Sequence, residues 1–272
     1  LRHVPTDQHG NPLTFESIAK QARGADLLGV LKADVDNMGG RISELSREDS
    51  SLAKLSAFSQ EMDRFFSAEV QGFLLRSPWD TIYTVYSGGD DLLLVGPWDT
   101  ILDFAGQVRE AFARGPGSKY GLTLSAGIAL VPWRLPIRHA VEGADHLLER
   151  AKTGPKNRCA ALGKAWDWSR HHAIIGQGKQ LAAWIESRTC PRTLAHRLLA
   201  ILNSKSPKRS ALWAYQLGRN LPRRDARAPE ERNLRQWAEA LLNEIDKPDP
   251  EGMREATVAL RYALTATRPR RD

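Results

Sequence analysis

The chain has 272 residues, 42% of them hydrophobic and 26% charged, which fits a globular protein with a proper core in one large domain or two of ordinary size. No apolar run approaches the roughly 20 residues of a membrane-spanning helix and no signal-peptide pattern stands at the start, so no membrane partner is expected and the cytoplasm is the expected compartment. Cys159 and Cys190 have no His or Cys at ligand spacing, which excludes a disulfide framework and a zinc site, while a net charge of +7 favours anionic partners, nucleotides or nucleic acid first.

Residues 1–14, with Pro5, Gly10 and Pro12, read as a linker or extended lead-in. The chain opens on Leu, so it is expected to be a segment of a longer or processed protein. A helix is predicted over Phe15 to Ala25. Next comes a short apolar strand from Leu27 that ends in Asp34-Val35-Asp36-Asn37, followed by a Gly39-Gly40 break. In a strand, residues i and i+2 share a face, so Asp34 and Asp36 point the same way at the strand end. An acidic turn ahead of a helix and a metal-gripping pair are both open readings at this point.

Leu52 to Leu75 carries Leu52, Leu55, Phe58, Met62, Phe65 and Phe66 at spacings of three and four, the pattern of a core helix. Two β-rich runs then flank Ser87-Gly88-Gly89-Asp90-Asp91 within Ile82 to Gly96. The Gly-Gly pair suits the positive φ angles of a tight hairpin. Carboxylates are depleted in strands, yet Asp90 and Asp91 head the apolar run Leu92 to Val95. They are either solvated turn residues or hard oxygen ligands for Mg²⁺.

A helix from Thr100 to Ala113, a strand from Leu122 to Val131 and a helix from Ile137 to Lys152 follow, the last ending in cations at Lys152, Lys156 and Arg158 around Gly154-Pro155. This βαββαβ order predicts an α/β (α+β) sandwich of the ferredoxin-like or palm type over residues 15–165, with the hairpin running through the middle of the sheet. Its first strand would lie beside its third, gathering Asp34, Asp36, Asp90 and Asp91 at one spot, where like charges need a cation. From residue 166 to 272 only helices are predicted, a small all-α domain. Within it, Ser204 to Arg235 holds nine Lys or Arg (Lys205, Lys208, Arg209, Arg219, Arg223, Arg224, Arg227, Arg232, Arg235) against three acids, a net of six. That stretch is either a solvated surface or a dock for RNA or protein subunits.

Lys-Ala-Asp-Val-Asp-Asn-Met-Gly at 32–39, Tyr-Ser-Gly-Gly-Asp-Asp at 86–91, Val-Gly-Pro-Trp-Asp at 95–99 and Leu-Ser-Ala-Gly-Ile at 124–128 resemble the second palm domain of the type III CRISPR large subunit. More distantly the chain is similar to GGDEF nucleotide cyclases, whose closing Ala-Lys-x-x-Gly-Arg-Asn-Arg the 151–158 segment follows. The resemblance implies a nucleotidyltransferase that makes cyclic oligoadenylates from ATP, with Mg²⁺ or Mn²⁺ as cofactor. It implies metal ligands at Asp34, Asp90 and the Val35 carbonyl, with Asp91 and then Asp36 as supporting ligands. Lys152 and Lys156 would meet the triphosphate, Ser87, Gly88 and Gly89 would let the backbone approach the nucleotide, and Asn37 and Leu55 to Phe58 are candidates for the base.

Implied partners are a first palm and nuclease domain, the small subunits on the helical domain and, indirectly, crRNA and target RNA. The sequence holds no His-Asp dyad of a nuclease domain and so is similar to the C-terminal half of such a subunit. Asp91-Leu92 in place of Glu-Phe argues against a guanine-specific cyclase. Two alternatives stay open: a nucleotide-binding scaffold that docks small subunits or RNA without turnover, and a stand-alone GGDEF-like homodimer.

Overall fold

A computed structural model describes residues 2–47, 51–221, 226–245, 247 and 251–270. Pro222, Arg223, Arg224, Asp225 and Pro248-Asp249-Pro250 lie outside the described residues. The chain divides into two compact units, Leu1–His171 and His172–Asp272.

In the first unit, α1 (Phe15–Ala19) is shorter than the Phe15 to Ala25 predicted. The Thr14 hydroxyl caps it by accepting from Ser17 N–H, and Gly24 at φ +71° turns the chain beyond it. β1 (Leu27–Asp36) leads directly into α2 (Met38–Leu45). The expected Gly-Gly break is therefore wrong, because Gly39 and Gly40 form the first turn of a helix. α3 (Ser51–Arg64), a π-helical turn (Phe65–Glu69) and α4 (Val70–Leu74) make one continuous rod. β2 (Tyr83–Gly88) and β3 (Asp91–Pro97) form the hairpin. Then come α5 (Trp98–Arg114), α6 (Pro116–Tyr120), β4 (Thr123–Pro132) and α7 (Ile137–Lys152), the last with the bounds read from its periodicity.

A second hairpin, β5 (Arg158–Ala161) and β6 (Lys164–Asp167), was not anticipated. Four-residue strands such as Arg-Cys-Ala-Ala carry too little alternation to be recognised. Through β6 and the Trp166, Trp168 and His171 rings, the unit extends past the expected boundary at 165. Trp168 Nε1 donates to the Leu124 carbonyl at 2.7 Å, and Trp166 Nε1 to His171 Nδ1 at 3.3 Å.

The sheet order is β2-β3-β1-β4-β5-β6, with β1 antiparallel to both β3 and β4. The hairpin therefore does not run through the middle of the sheet. β1 is interior, and β2 lies at the edge, where Thr84 N–H reaches the His3 carbonyl of the lead-in at 2.9 Å. That contact covers an otherwise open ladder.

Helices cover both faces. On one, α5 presses onto glycines: a Cβ added at Gly29 would stand 2.8 Å from Ile101 Cβ, and one at Gly96 3.1 Å from Ile101 Cγ1. Phe65 sets its ring edge-on to those of Phe66 and Phe112 at this layer. On the other face α1 and α7 bury Ile18, Val30, Val95, Ala129, Ala140 and Ala144. Cys159 lies wholly inside, and burial raises its thiol far above the ordinary range. Burial likewise pushes Cys190 up to about 11, so neither thiol is reactive at neutral pH.

The second unit consists of α8 (His171–Glu186, its first residue belonging to the first unit), α9 (Arg192–Asn203), α10 (Arg209–Asn220), α11 (Pro229–Leu242) and α12 (Glu251–Ala266). Its core includes Leu181, Leu198, Trp213, Leu234, Leu260 and Tyr262. Arg192 ties α9 to α12 by donating to the Leu264 carbonyl at 2.7 Å. No helix among the described residues is long and apolar enough to cross a membrane.

Candidate functional site

The register of β1 and β3 sets Asp34 directly opposite Asp91, and residues so paired share a face of the sheet. Gly88 pairs with Asp91, which leaves Gly89 and Asp90 as a two-residue hairpin tip. Only Gly89, at φ +63°, takes the left-handed conformation; Gly88 does not need it. The Val35 amide donates to the Asp90 carbonyl at 3.2 Å, closing the ladder at the tip. A residue's N–H and C=O project to the same side of a strand, so the Val35 carbonyl also faces the hairpin tip.

Burial first, then the adjoining Asp34 carboxyl and the negative charges of Asp34 and Asp90, raise the Asp91 carboxyl above its ordinary value of 3.8; Lys32 pulls against them. Lys32 is itself held charged mainly by its hydrogen bond to Asp145. On the other side, Lys152 at the end of α7 makes an ion pair with Asp34. The carboxyl pair thus stands between two lysines. A raised Asp means that its neutral form is favoured in the folded chain. That contribution is fully present below 3.8 and is lost as pH rises through the raised value. At neutral pH the charged pair is a cost, so Asp91→Asn should melt higher than the parent without added metal. After discount for solvent screening the gain is on the order of 0.5 kcal/mol, about 1–2 °C for a chain of this size. In melts across pH the difference should vanish toward pH 3.8.

Asp36 shares the face of Asp34 but has a different surrounding. It is 2% exposed, and its Oδ2 accepts from Thr123 Oγ1 at 2.7 Å, Ser125 Oγ at 3.0 Å and the Asn157 amide at 3.0 Å. Next to it Asn37, left-handed at φ +62°, accepts from Lys156 Nζ at 2.6 Å. Two consecutive residues at the end of β1 therefore clasp two consecutive residues of the 153–158 loop. Arg158 turns away, donating to the Ala165 carbonyl at 3.1 Å. The expected convergence of four carboxylates is corrected accordingly: Asp34 and Asp91 face each other, Asp90 adjoins them at the tip, and Asp36 is buried apart, its Oδ2 held by three donors and its Oδ1 without a hydrogen-bond partner.

Among the described residues no group of three or more His, Cys, Asp or Glu is arranged to hold a metal ion. The donor chemistry nevertheless suits a hard cation: carboxylates of like charge lie side by side, and a carbonyl oxygen faces the same tip. The backbone around them is open. A Cβ added at Gly39, Gly40 or Gly89 would meet nothing within 4 Å, and one at Gly88 only the Tyr86 hydroxyl at 3.9 Å. The Ser87 hydroxyl is already engaged, donating to the Phe66 carbonyl in the π turn at 2.5 Å. Phe58 is wholly buried with its ring edge-on to Tyr120 at 4.8 Å, so it is core and offers no base platform.

Sequence reasoning missed Thr123, Ser125 and Gly127. The hydroxyls were a visible signal, two polar residues at alternate positions of an apolar strand. Gly127 gave none: only the fold shows that α7 rests its backbone on that glycine.

Residues 27–160 match the family Cas10/Cmr2, second palm domain. A protein of Enterococcus italicus named CRISPR system single-strand-specific deoxyribonuclease Cas10/Csm1 (subtype III-A) is 32% identical over 203 residues, 72% of this chain and 26% of that relative. Among solved structures, a Csm1-Csm4 cassette in complex with cA4 superposes with a TM-score of 0.73 at 25% identity, over 98% of this chain and 40% of its own. The cassette in complex with one ATP gives 0.71 at 25% identity, with the same coverage. This chain spans well under half the length of these proteins. On this match and this identity the chain belongs to the Cas10/Cmr2 family, residues 27–160 matching its second palm domain.

Proposed function

We propose that the palm unit binds ATP and, within the large subunit of a type III CRISPR effector complex, transfers adenylyl groups to build cyclic oligoadenylates. The observation that carries this reading is the Asp34–Asp91 carboxyl pair, bracketed by the hairpin tip and by the cationic end of α7. The solved relatives named in complex with ATP and with cA4 support it. Mg²⁺ or Mn²⁺ would be held by Asp34, Asp90, Asp91 and the Val35 carbonyl, where it supplies charge neutralisation and a lowered pKa for the attacking ribose hydroxyl.

In the transfer, that hydroxyl forms a bond to the α-phosphorus of ATP as the bond to pyrophosphate breaks. Lys152 and Lys156 neutralise the β- and γ-phosphates as they leave. The bare backbone at Gly39, Gly40, Gly88 and Gly89 admits the nucleotide without side-chain intrusion. Asp36 and Asn37 position the loop that carries Lys156, which gives Asp36 a role away from the metal. A second ATP must face the first, supplied by the first palm of the large subunit. The isolated chain therefore binds ATP but turns it over poorly.

Calorimetric titration with ATP and GTP in Mg²⁺ tests this. ATP is expected to bind more tightly, and Lys156→Ala to weaken it about 10- to 100-fold, the worth of one charged hydrogen bond. Preference for GTP, or an unchanged ATP affinity in Lys156→Ala, contradicts it.

A further inference from the structure

From Ser187 to Arg224 the second unit runs for 38 residues without one Asp or Glu, while carrying nine Lys or Arg. The run comprises α9 and α10. On α10, Trp213, Gln216 and Leu217 face the core, and Trp213 Nε1 donates to the Ala238 carbonyl at 2.8 Å. The opposite side is unusual for a surface helix. Leu212 is 44% exposed and Tyr215 54% exposed. Lys208, Leu212, Tyr215 and Arg219 follow one another at spacings of four, three and four, a single line about 16 Å long. Both cations are exposed. Arg219 caps the tyrosine, with its guanidinium 5.9 Å from the ring centre and Nη1 donating to the phenol oxygen at 3.0 Å. Ala211, Ala214 and Gly218 flank the line, so the small side chains beside Tyr215 leave its ring half-exposed.

These cations do not serve the fold. Lys208 and Arg209 sit at the N-terminal end of α10, with no acid in its first turn, where a positive charge opposes the helix macrodipole. Among the described residues no ion pair engages Lys205, Lys208, Arg209 or Arg219, whereas Arg235 of α11 is paired with Glu239.

We infer that the exposed line of α10 binds single-stranded nucleic acid, with backbone phosphates on Lys208 and Arg219 and a base stacked on Tyr215. An acidic protein would satisfy the charges, but it would leave unexplained an aromatic ring held between cations and left half-exposed. That combination suits a strand offering alternating phosphates and π faces. The surface is separate from the proposed ATP chemistry, and either can fail alone.

The test is fluorescence anisotropy of the whole chain with a short unstructured RNA, and a DNA of the same sequence, in EDTA across a salt series. Affinity should fall linearly with salt on logarithmic axes. Lys208→Glu with Arg219→Glu should flatten that slope by about 0.7 per lost phosphate contact. Tyr215→Ala should weaken binding about tenfold without changing the slope, and Tyr215→Phe should restore it. All these side chains are exposed, and circular dichroism would verify the helices. No binding by the parent chain, an unchanged affinity and slope in the charge reversal, or full affinity in Tyr215→Ala each overturns the inference.

Discussion

Asp34→Ala is expected to weaken Mn²⁺ binding by about a hundredfold or more, since a lost metal ligand costs several kcal/mol. The size follows from the position of Asp34. It is the only one of the three site acids on β1, it is paired with Asp91 across the sheet, and it is the partner of Lys152. Removing it deletes a ligand and frees a lysine into the same space, so both changes act against a divalent cation. Asp36, two residues away on the same face, should behave differently. Asp36→Asn keeps an oxygen that can accept from Thr123, Ser125 and the Asn157 amide, so Mn²⁺ affinity should stay near that of the parent. Equal losses in Asp34→Ala and Asp36→Asn would return Asp36 to the ligand set. Calorimetry or competition with a metal indicator reads both.

The second large effect is structural. Gly127 of β4 pairs with Lys32 of β1, beneath α7. A Cβ placed there would lie well inside 3.0 Å of the Leu148 amide and the Ala144 carbonyl, a separation real Cβ atoms essentially never show. Backbone cannot swing aside as a side-chain end does, so the helix itself must lift. Gly127→Ala is expected to cost about 3 kcal/mol, the upper end of overpacking, and to lower Tm by roughly 6–12 °C. Lifting α7 also withdraws Lys152 from Asp34, so ATP affinity should fall in the fraction that stays folded. A melt unchanged within a degree would mean that α7 does not rest on this strand.

Much of this site was legible in the residues alone. Alternation and spacing sufficed for β1, the Gly-Gly-Asp-Asp hairpin and the helix that ends at Lys152, and the βαββαβ order implied that Asp34 and Asp91 would be neighbours. What escaped depends on partners distant in sequence. The sequestering of Asp36 needs Ser125 and Asn157, 89 and 121 residues away. The β5–β6 hairpin is too short to show a period, and α2 hides behind a Gly-Gly pair that ordinarily disfavours helix. β2 at the sheet edge instead of its middle reflects strand order, which local pattern does not encode.

The central claim is that the hairpin acids and Asp34 together hold a divalent cation against the phosphates of ATP. Pulsed electron paramagnetic resonance of the chain with Mn²⁺ and ATP tests it most directly. The account predicts protein-bound Mn²⁺ with phosphorus couplings that is lost in Asp34→Ala and in Asp90→Ala with Asp91→Ala. The same bound signal persisting in both variants would contradict it.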